Sequence, residues 1–151
     1  MQQLTLFHDE NREMEIQQLG ASLATLMPMV RSRMNKVAAS HHLSRDLIAE
    51  RMTDIARSSG VKLSRGNAKS VKTATLDKWL SPEDRDHPPS LQAIITFVMA
   101  TGDNSPLMPL LSVLGLEVMT EEDKQLRDYA KADLVAEKAK AEKRRLKAVL
   151  R

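Results

Sequence analysis

The sequence predicts an all-α fold, and three observations carry that expectation. Aromatic residues make up only 3% of the 151 residues, so the core is built from Leu, Met, Val, Ile and Ala, a mixture that favours helices over sheet. Five glycines and six prolines are too few for the many tight turns of an all-β chain. Apolar residues recur at helical spacing, as at Ile16, Leu19, Leu23, Leu26, Val30 and Val37. A hydrophobic content of 42% is enough for a packed core. With no cysteine, disulfide frameworks and thiolate zinc sites are excluded.

Along the chain, residues 1–8 are expected to form a flexible arm. Asp9 is expected to cap an N-terminal helical extension over residues 9–27. Pro28 interrupts it, because proline removes a backbone donor and crowds the preceding turn; a kink or a restart is expected there. Residues 28–119 read as the domain proper. Its first core helix is Met29–Ser40, a reading preferred to a coiled-coil seam because Arg33 occupies a seam position. Ser44 opens the next helix, with Leu43 and Ile48 placed as a hydrophobic staple and Leu47, Ile48, Met52 and Ile55 on one face. It is expected to end near Arg57, before Ser58-Ser59-Gly60. Residues 58–72 form a basic loop. Thr73 is expected to cap a short helix with Leu76, Trp79 and Leu80 inward, and Ser81-Pro82 stops it. Ser90 opens a helix carrying Leu91, Ile94, Ile95, Val98 and Met99 and closed at Gly102. Ser105-Pro106 opens another, carrying Leu107 to Leu116. Thr120-Glu121-Glu122-Asp123 starts a C-terminal helix over residues 120–151, assigned to oligomerisation because it has too few large apolar residues to bury much alone.

Charge is distributed unevenly. Residues 1–43 are balanced, 44–81 carry eight bases against four acids, 82–119 one base against five acids, and 120–151 ten bases against seven acids. Between Asp54 and Asp77 lie five bases and no acid: Arg57, Lys62, Arg65, Lys69 and Lys72. Such a local basic run attracts phosphate even though the net charge is only +3. Two short amphipathic helices flank the run, in the order of a helix-turn-helix, whose second helix enters the major groove with its N-terminal residues at the base edges. The candidate DNA-binding residues are therefore Arg45, Arg57, Lys62, Arg65, Asn67, Lys69, Ser70, Lys72, Thr73, Thr75 and Lys78.

Other motifs weigh less. Trp79 would suit base stacking, but Leu76 and Leu80 beside it favour core packing. Gly66-Asn67-Ala68-Lys69-Ser70 lacks the Gly-Lys-Ser adjacency of a phosphate loop, and no apolar strand precedes it. His41-His42 are adjacent and point about 100° apart on a helix, so they suit a helix end better than one metal. No catalytic constellation is evident, so no enzyme is expected, and neither a metal nor a cofactor. No signal peptide or membrane span is expected, and the absence of cysteine fits a reducing cytoplasm.

Leu43-Ser44-Arg45-Asp46-Leu47-Ile48-Ala49-Glu50-Arg51-Met52, then Thr75-Leu76-Asp77-Lys78-Trp79-Leu80, then Pro89-Ser90-Leu91-Gln92-Ala93-Ile94 together resemble the five-helix lambda-repressor-like DNA-binding fold. More narrowly, they resemble the small regulators of Mu-like transposable phages and prophages, over about Met29–Met119. The resemblance implies that Arg45–Arg57 supports and Thr73–Leu80 reads DNA, the intervening segment being far longer than the usual turn of three or four residues. Separately, Gln3-Leu4-Thr5-Leu6-Phe7 resembles the pentapeptide by which bacterial proteins dock on the replicative sliding clamp, with Gln3, Leu4, Leu6 and Phe7 as contacts. The leading expectation is a transcription regulator that binds double-stranded DNA as a dimer or larger oligomer. The alternatives are a DNA-recognition subunit of a packaging motor, similar to small terminases, and a clamp-binding helical adaptor.

Overall fold

A computed structural model describes the backbone of residues 2–64 and 70–150 and the side chains from residue 9 onward, the segment 65–69 excepted. The first helix, α1, spans Gln2–Ser40. It therefore begins at Gln2, where a flexible arm and an Asp9 cap were expected, because no glycine or proline separates Gln2 from Asp9 and most residues there sustain a helix. Pro28 does not restart it either. Pro28 and Ala24, the residue whose carbonyl loses its partner, are both exposed, so solvent is at hand to satisfy that carbonyl. From Val30 onward α1 turns one face inward through Val30, Met34, Val37 and Ala38, as expected of a core helix.

Helix α2 covers Arg45–Ser59. Ser44 caps it, its hydroxyl accepting from the Leu47 amide at 3.3 Å. Gly60 closes it two residues later than expected, at φ 67°, donating its amide to the carbonyls of Ala56 and Arg57. Ile48, Ala49, Met52 and Ala56 face the core, while Leu47, expected on that face, is exposed. Helix α3 is Thr73–Leu80. Its N-cap is Lys72 and not Thr73; Thr73 is already helical, and its hydroxyl donates to the Asp46 carboxylate of α2 at 2.5 Å. Leu76, Trp79 and Leu80 are buried as predicted, and Ser81 ends the helix in the extended conformation that a following proline imposes.

Helix α4, Leu91–Thr101, is capped by Ser90 and closed by Gly102. Its inner face is Ala93, Ile94, Phe97, Val98 and Ala100; Leu91, Ile95 and Met99, named from the sequence as its apolar residues, lie on the outside. A 3-10 turn at Ser105–Leu107 runs into α5, Met108–Ser112. The helix expected to reach Leu116 stops at Ser112, a turn that Gly115 completes at φ 68° follows, and Val113, Leu114 and Leu116 are exposed. Helix α1 packs against α3, α4, the 3-10 turn and α5, and α2 packs against α3 and α4. The core lies between them, with Leu63 and Val71 from the loop also buried in it.

The chain divides into two compact units, Met1–Leu116 and Glu117–Arg151. The second holds α6, Glu121–Val149, opened by the predicted capping box. The Asp123 amide donates to the Thr120 hydroxyl at 3.1 Å, and the Thr120 amide donates to the Asp123 carboxylate at 2.9 Å. Every described side chain of this unit is exposed. Its stability as a helix thus comes from helix-forming residues, the cap and short-range ion pairs such as Glu121–Lys124 and Glu142–Arg145. No strand occurs among the described residues, and no helix among them is long and apolar enough to cross a membrane.

Candidate nucleic-acid interface

The position of α3 is set by contacts on both of its ends. At its C-terminus a single buried side chain holds it. Arg31 of α1 is only 3% exposed, and its guanidinium donates to the Trp79 carbonyl at 2.8 Å and to the carbonyls of Lys78 and Asp84, with a longer bond of 3.4 Å to that of His87. Two of these carbonyls belong to the last turn of α3, where helix geometry leaves acceptors without partners and the dipole favours a cation. Burial pushes the Arg31 pKa below its usual value, and the nearby Asp84 carboxylate acts in the opposite direction. Asp84 is itself organised: burial works against its charge, but hydrogen bonds from the His87 ring and from the backbone amides of His87 and Asp86 prevail and hold its pKa below the ordinary carboxylate value.

At the N-terminus of α3 the basic loop is pinned at both ends. Leu63 and Val71 are buried, and the Val71 amide donates to the buried Thr53 hydroxyl at 2.8 Å, which in turn donates to the Ala49 carbonyl at 2.9 Å. Lys62 and Lys72, each next to one of these anchors, point outward. The pattern is a loop held by apolar residues that presents Lys62 and Lys72 to solvent.

The candidate DNA-binding residues fall into four groups. Arg57, Lys62 and Ser70 border one hollow, and Arg57, Ser70, Lys72 and Thr73 line an adjoining groove of about 450 Å³ between α2 and the segment entering α3. Thr75 and Lys78 lie on α3 itself, half-buried and exposed respectively. Arg45 stands apart: its guanidinium is paired with Asp77 of α3 at 2.7 Å and donates to Asn35 of α1 at 2.9 Å, so it braces three helices. Arg65, Asn67 and Lys69 lie outside the described residues, as do the side chains of the clamp-like pentapeptide Gln3, Leu4, Leu6 and Phe7, whose backbone is part of α1.

The sequence reading missed two features. One is Arg31, whose only signal was a charged residue on the same helical face as Met34 and Ala38. The other is an acidic stripe. Asp46, Glu50 and Asp54 follow at intervals of four along α2 and line the same groove as Arg57 and Lys72. The stretch that is free of acids in sequence is therefore not free of them in space. His41, expected at a helix end, does sit there, but as a bridge. One ring nitrogen meets the Thr101 carbonyl at the end of α4 at 3.0 Å, the other accepts from the Leu43 amide at 3.0 Å, and the ring stacks on His42.

Comparison of the chain with protein-family models, with curated proteins and with solved structures returns no match.

Proposed function

We propose that this protein is a sequence-specific regulator of transcription that binds double-stranded DNA. In this reading residues 28–119 form a lambda-repressor-like helix-turn-helix domain, α2 supports, and α3 reads base edges. The observation that carries it is the setting of α3. A short helix turns Leu76, Trp79 and Leu80 into the core, is latched at its C-terminus by Arg31, and leaves Lys72 and Lys78 exposed behind a loop whose ends are anchored. Its phage or prophage origin, and with it a place on the nucleoid of a bacterial host, rests on the sequence resemblance. The first half of α1 favours action as two copies. Ile16, Leu19 and Leu23 share a face at helical spacing, and Leu23 is 69% exposed, as befits a seam that a second copy covers. In α6, by contrast, Leu126, Tyr129, Leu134, Val135 and Leu146 spread around the helix without a stripe, so α1 replaces it as the better-supported interface.

The test is selection of bound duplexes, followed by titration of the full chain carrying Lys72→Glu and Lys78→Glu. Affinity for the selected duplex should fall at least about tenfold, and the slope of log affinity against log salt should flatten by about 1.8, roughly 0.9 for each phosphate no longer neutralised. An unchanged affinity and slope would overturn the assignment. Mass in solution separates it from a packaging subunit: a dimer is expected, and a closed ring of many copies speaks against regulation.

A further inference from the structure

Helix α6 arranges its charge in two ways along its length. Over its first half, bases and acids alternate and pair, as in Glu121–Lys124 and Arg127–Asp128. Over residues 137–150 there are six bases and two acids, Glu137 and Glu142, and Glu142 is engaged by Arg145. The remaining bases include Lys140, Lys143, Arg144 and Lys147. Their spacing of three, four and seven residues puts all four on one face of the helix over roughly 10 Å, starting one turn after Glu137. All four are exposed, and none forms an ion pair among the described residues. Like charges at these spacings weaken a helix, so this face is built against its own stability. The helix dipole explains a basic last turn, hence Lys147, but its influence fades within a turn and does not reach Lys140, Lys143 or Arg144.

We infer that this face of α6 is a second nucleic-acid-binding surface, one that grips the phosphate backbone of duplex DNA without reading its sequence. A duplex offers about one phosphate charge per 1.7 Å of axis, and a groove about 12 Å wide that accepts one helix, so a line of four exposed bases on one helix face meets a matching line of charge. A membrane surface suits it less: from Ala136 to Ala148 the one bulky apolar side chain is Leu146, too little to insert into a bilayer. The inference does not depend on α3 being the reading helix.

The test compares the full chain with the variant K140Q/K143Q/R144Q/K147Q on a mixed-sequence duplex of about 30 base pairs over a range of salt. Glutamine keeps helix propensity close to that of lysine and arginine, and circular dichroism checks that α6 persists. The salt slope should flatten by up to about 3.6 and affinity at low salt should fall at least about tenfold. A control variant, R33Q/K36Q/R51Q/R85Q, removes the same charge from exposed positions of the first unit and should stay within about twofold of wild type. Equal losses in both variants would mean that net charge alone is at work, and would overturn the inference. So would an unchanged slope in the α6 variant, or binding of the wild type to phosphatidylserine vesicles with none to duplex. Titrating K72E/K78E beside them separates the two surfaces. If that variant still binds and the α6 variant does not, the α3 reading fails and this inference stands; the opposite pattern overturns this inference and leaves the α3 reading in place.

Discussion

In the unit from Met1 to Leu116, three charged side chains are absorbed by architecture. Arg31 holds the end of α3 and its following loop, Arg45 joins α1, α2 and α3 through Asn35 and Asp77, and Asp46 holds the first residue of α3. In the unit from Glu117 to Arg151 no described side chain is buried, and four neighbouring bases on α6 have no ion-pair partner among the described residues. The difference shows why counting bases along a chain misplaces a binding surface. A base that braces helices has fixed geometry but a quenched field, whereas a base on a free helix face keeps its full field for a partner.

The contrast is broken most forcefully in the core. Phe97→Ala removes the largest fully buried side chain of the first unit and should cost about 3–5 kcal/mol, whereas Leu134→Ala on α6 should change stability by no more than about 0.5 kcal/mol. Urea titration reads both, the first unit by the fluorescence of Trp79, the single tryptophan, and α6 by circular dichroism. Equal costs would mean that α6 is buried in the protein as it exists in solution. Next in size is Arg31→Met, which leaves the carbonyls of Trp79 and Asp84 without their donor and that of Lys78 with only a long bond from the Ser81 amide, and should cost about 3 kcal/mol. Arg31→Lys should recover only part of this, because a single ammonium does not span the planar fork that guanidinium presents.

A smaller effect is local to the second unit. Thr120→Ala removes the hydroxyl's bonds to Asp123, leaves the backbone amide's bond to its carboxylate, and should cost α6 about 1 kcal/mol, seen as fraying of its first turn by NMR, with the first unit untouched. The same box makes this end of α6 sensitive to acid. Hydrogen bonds from the Thr120 backbone and hydroxyl outweigh desolvation and hold the Asp123 pKa below the ordinary aspartate value. A carboxylate with a lowered folded pKa stabilises fully above its unfolded value. Its contribution is therefore intact at neutral pH and is lost as pH falls from the ordinary aspartate range, near about 4, down through the lowered value. First-turn order that stays constant across that range would show that the box is not formed.

Local signals in the sequence located most of this architecture. The caps at Ser44, Ser90 and Thr120, the stop before Pro82 and the inward set of Leu76, Trp79 and Leu80 were all legible, because each depends on residues within one turn of one another. The N-terminal start of α1 was misread because a beginning without a capping signal looks like an arm. On α4 the mistake was of another kind. Leu91, Ile95 and Met99 are as apolar as the residues that won the core, and only the packing of α4 against α1 and α2 decides which face turns inward. The candidate site suffered most from distance. The acceptors of Arg31 lie 47 to 56 residues away and are all main-chain atoms, which leave no trace in side-chain pattern. The acidic stripe on α2 was visible as a spacing, but its approach to Lys72 and Thr73 arises only in three dimensions.

The nature of those acceptors has a consequence for how α3 can vary. Lys78, Trp79 and His87 offer Arg31 nothing but carbonyl oxygens, and Asp84 adds only the field of its carboxylate to its own. Within α3 the latch thus recognises the course of the chain and is indifferent to its spelling. Lys78 can be exchanged for another residue, and the outward face of α3 respelled to suit another partner, while one unchanged arginine on another helix keeps its register.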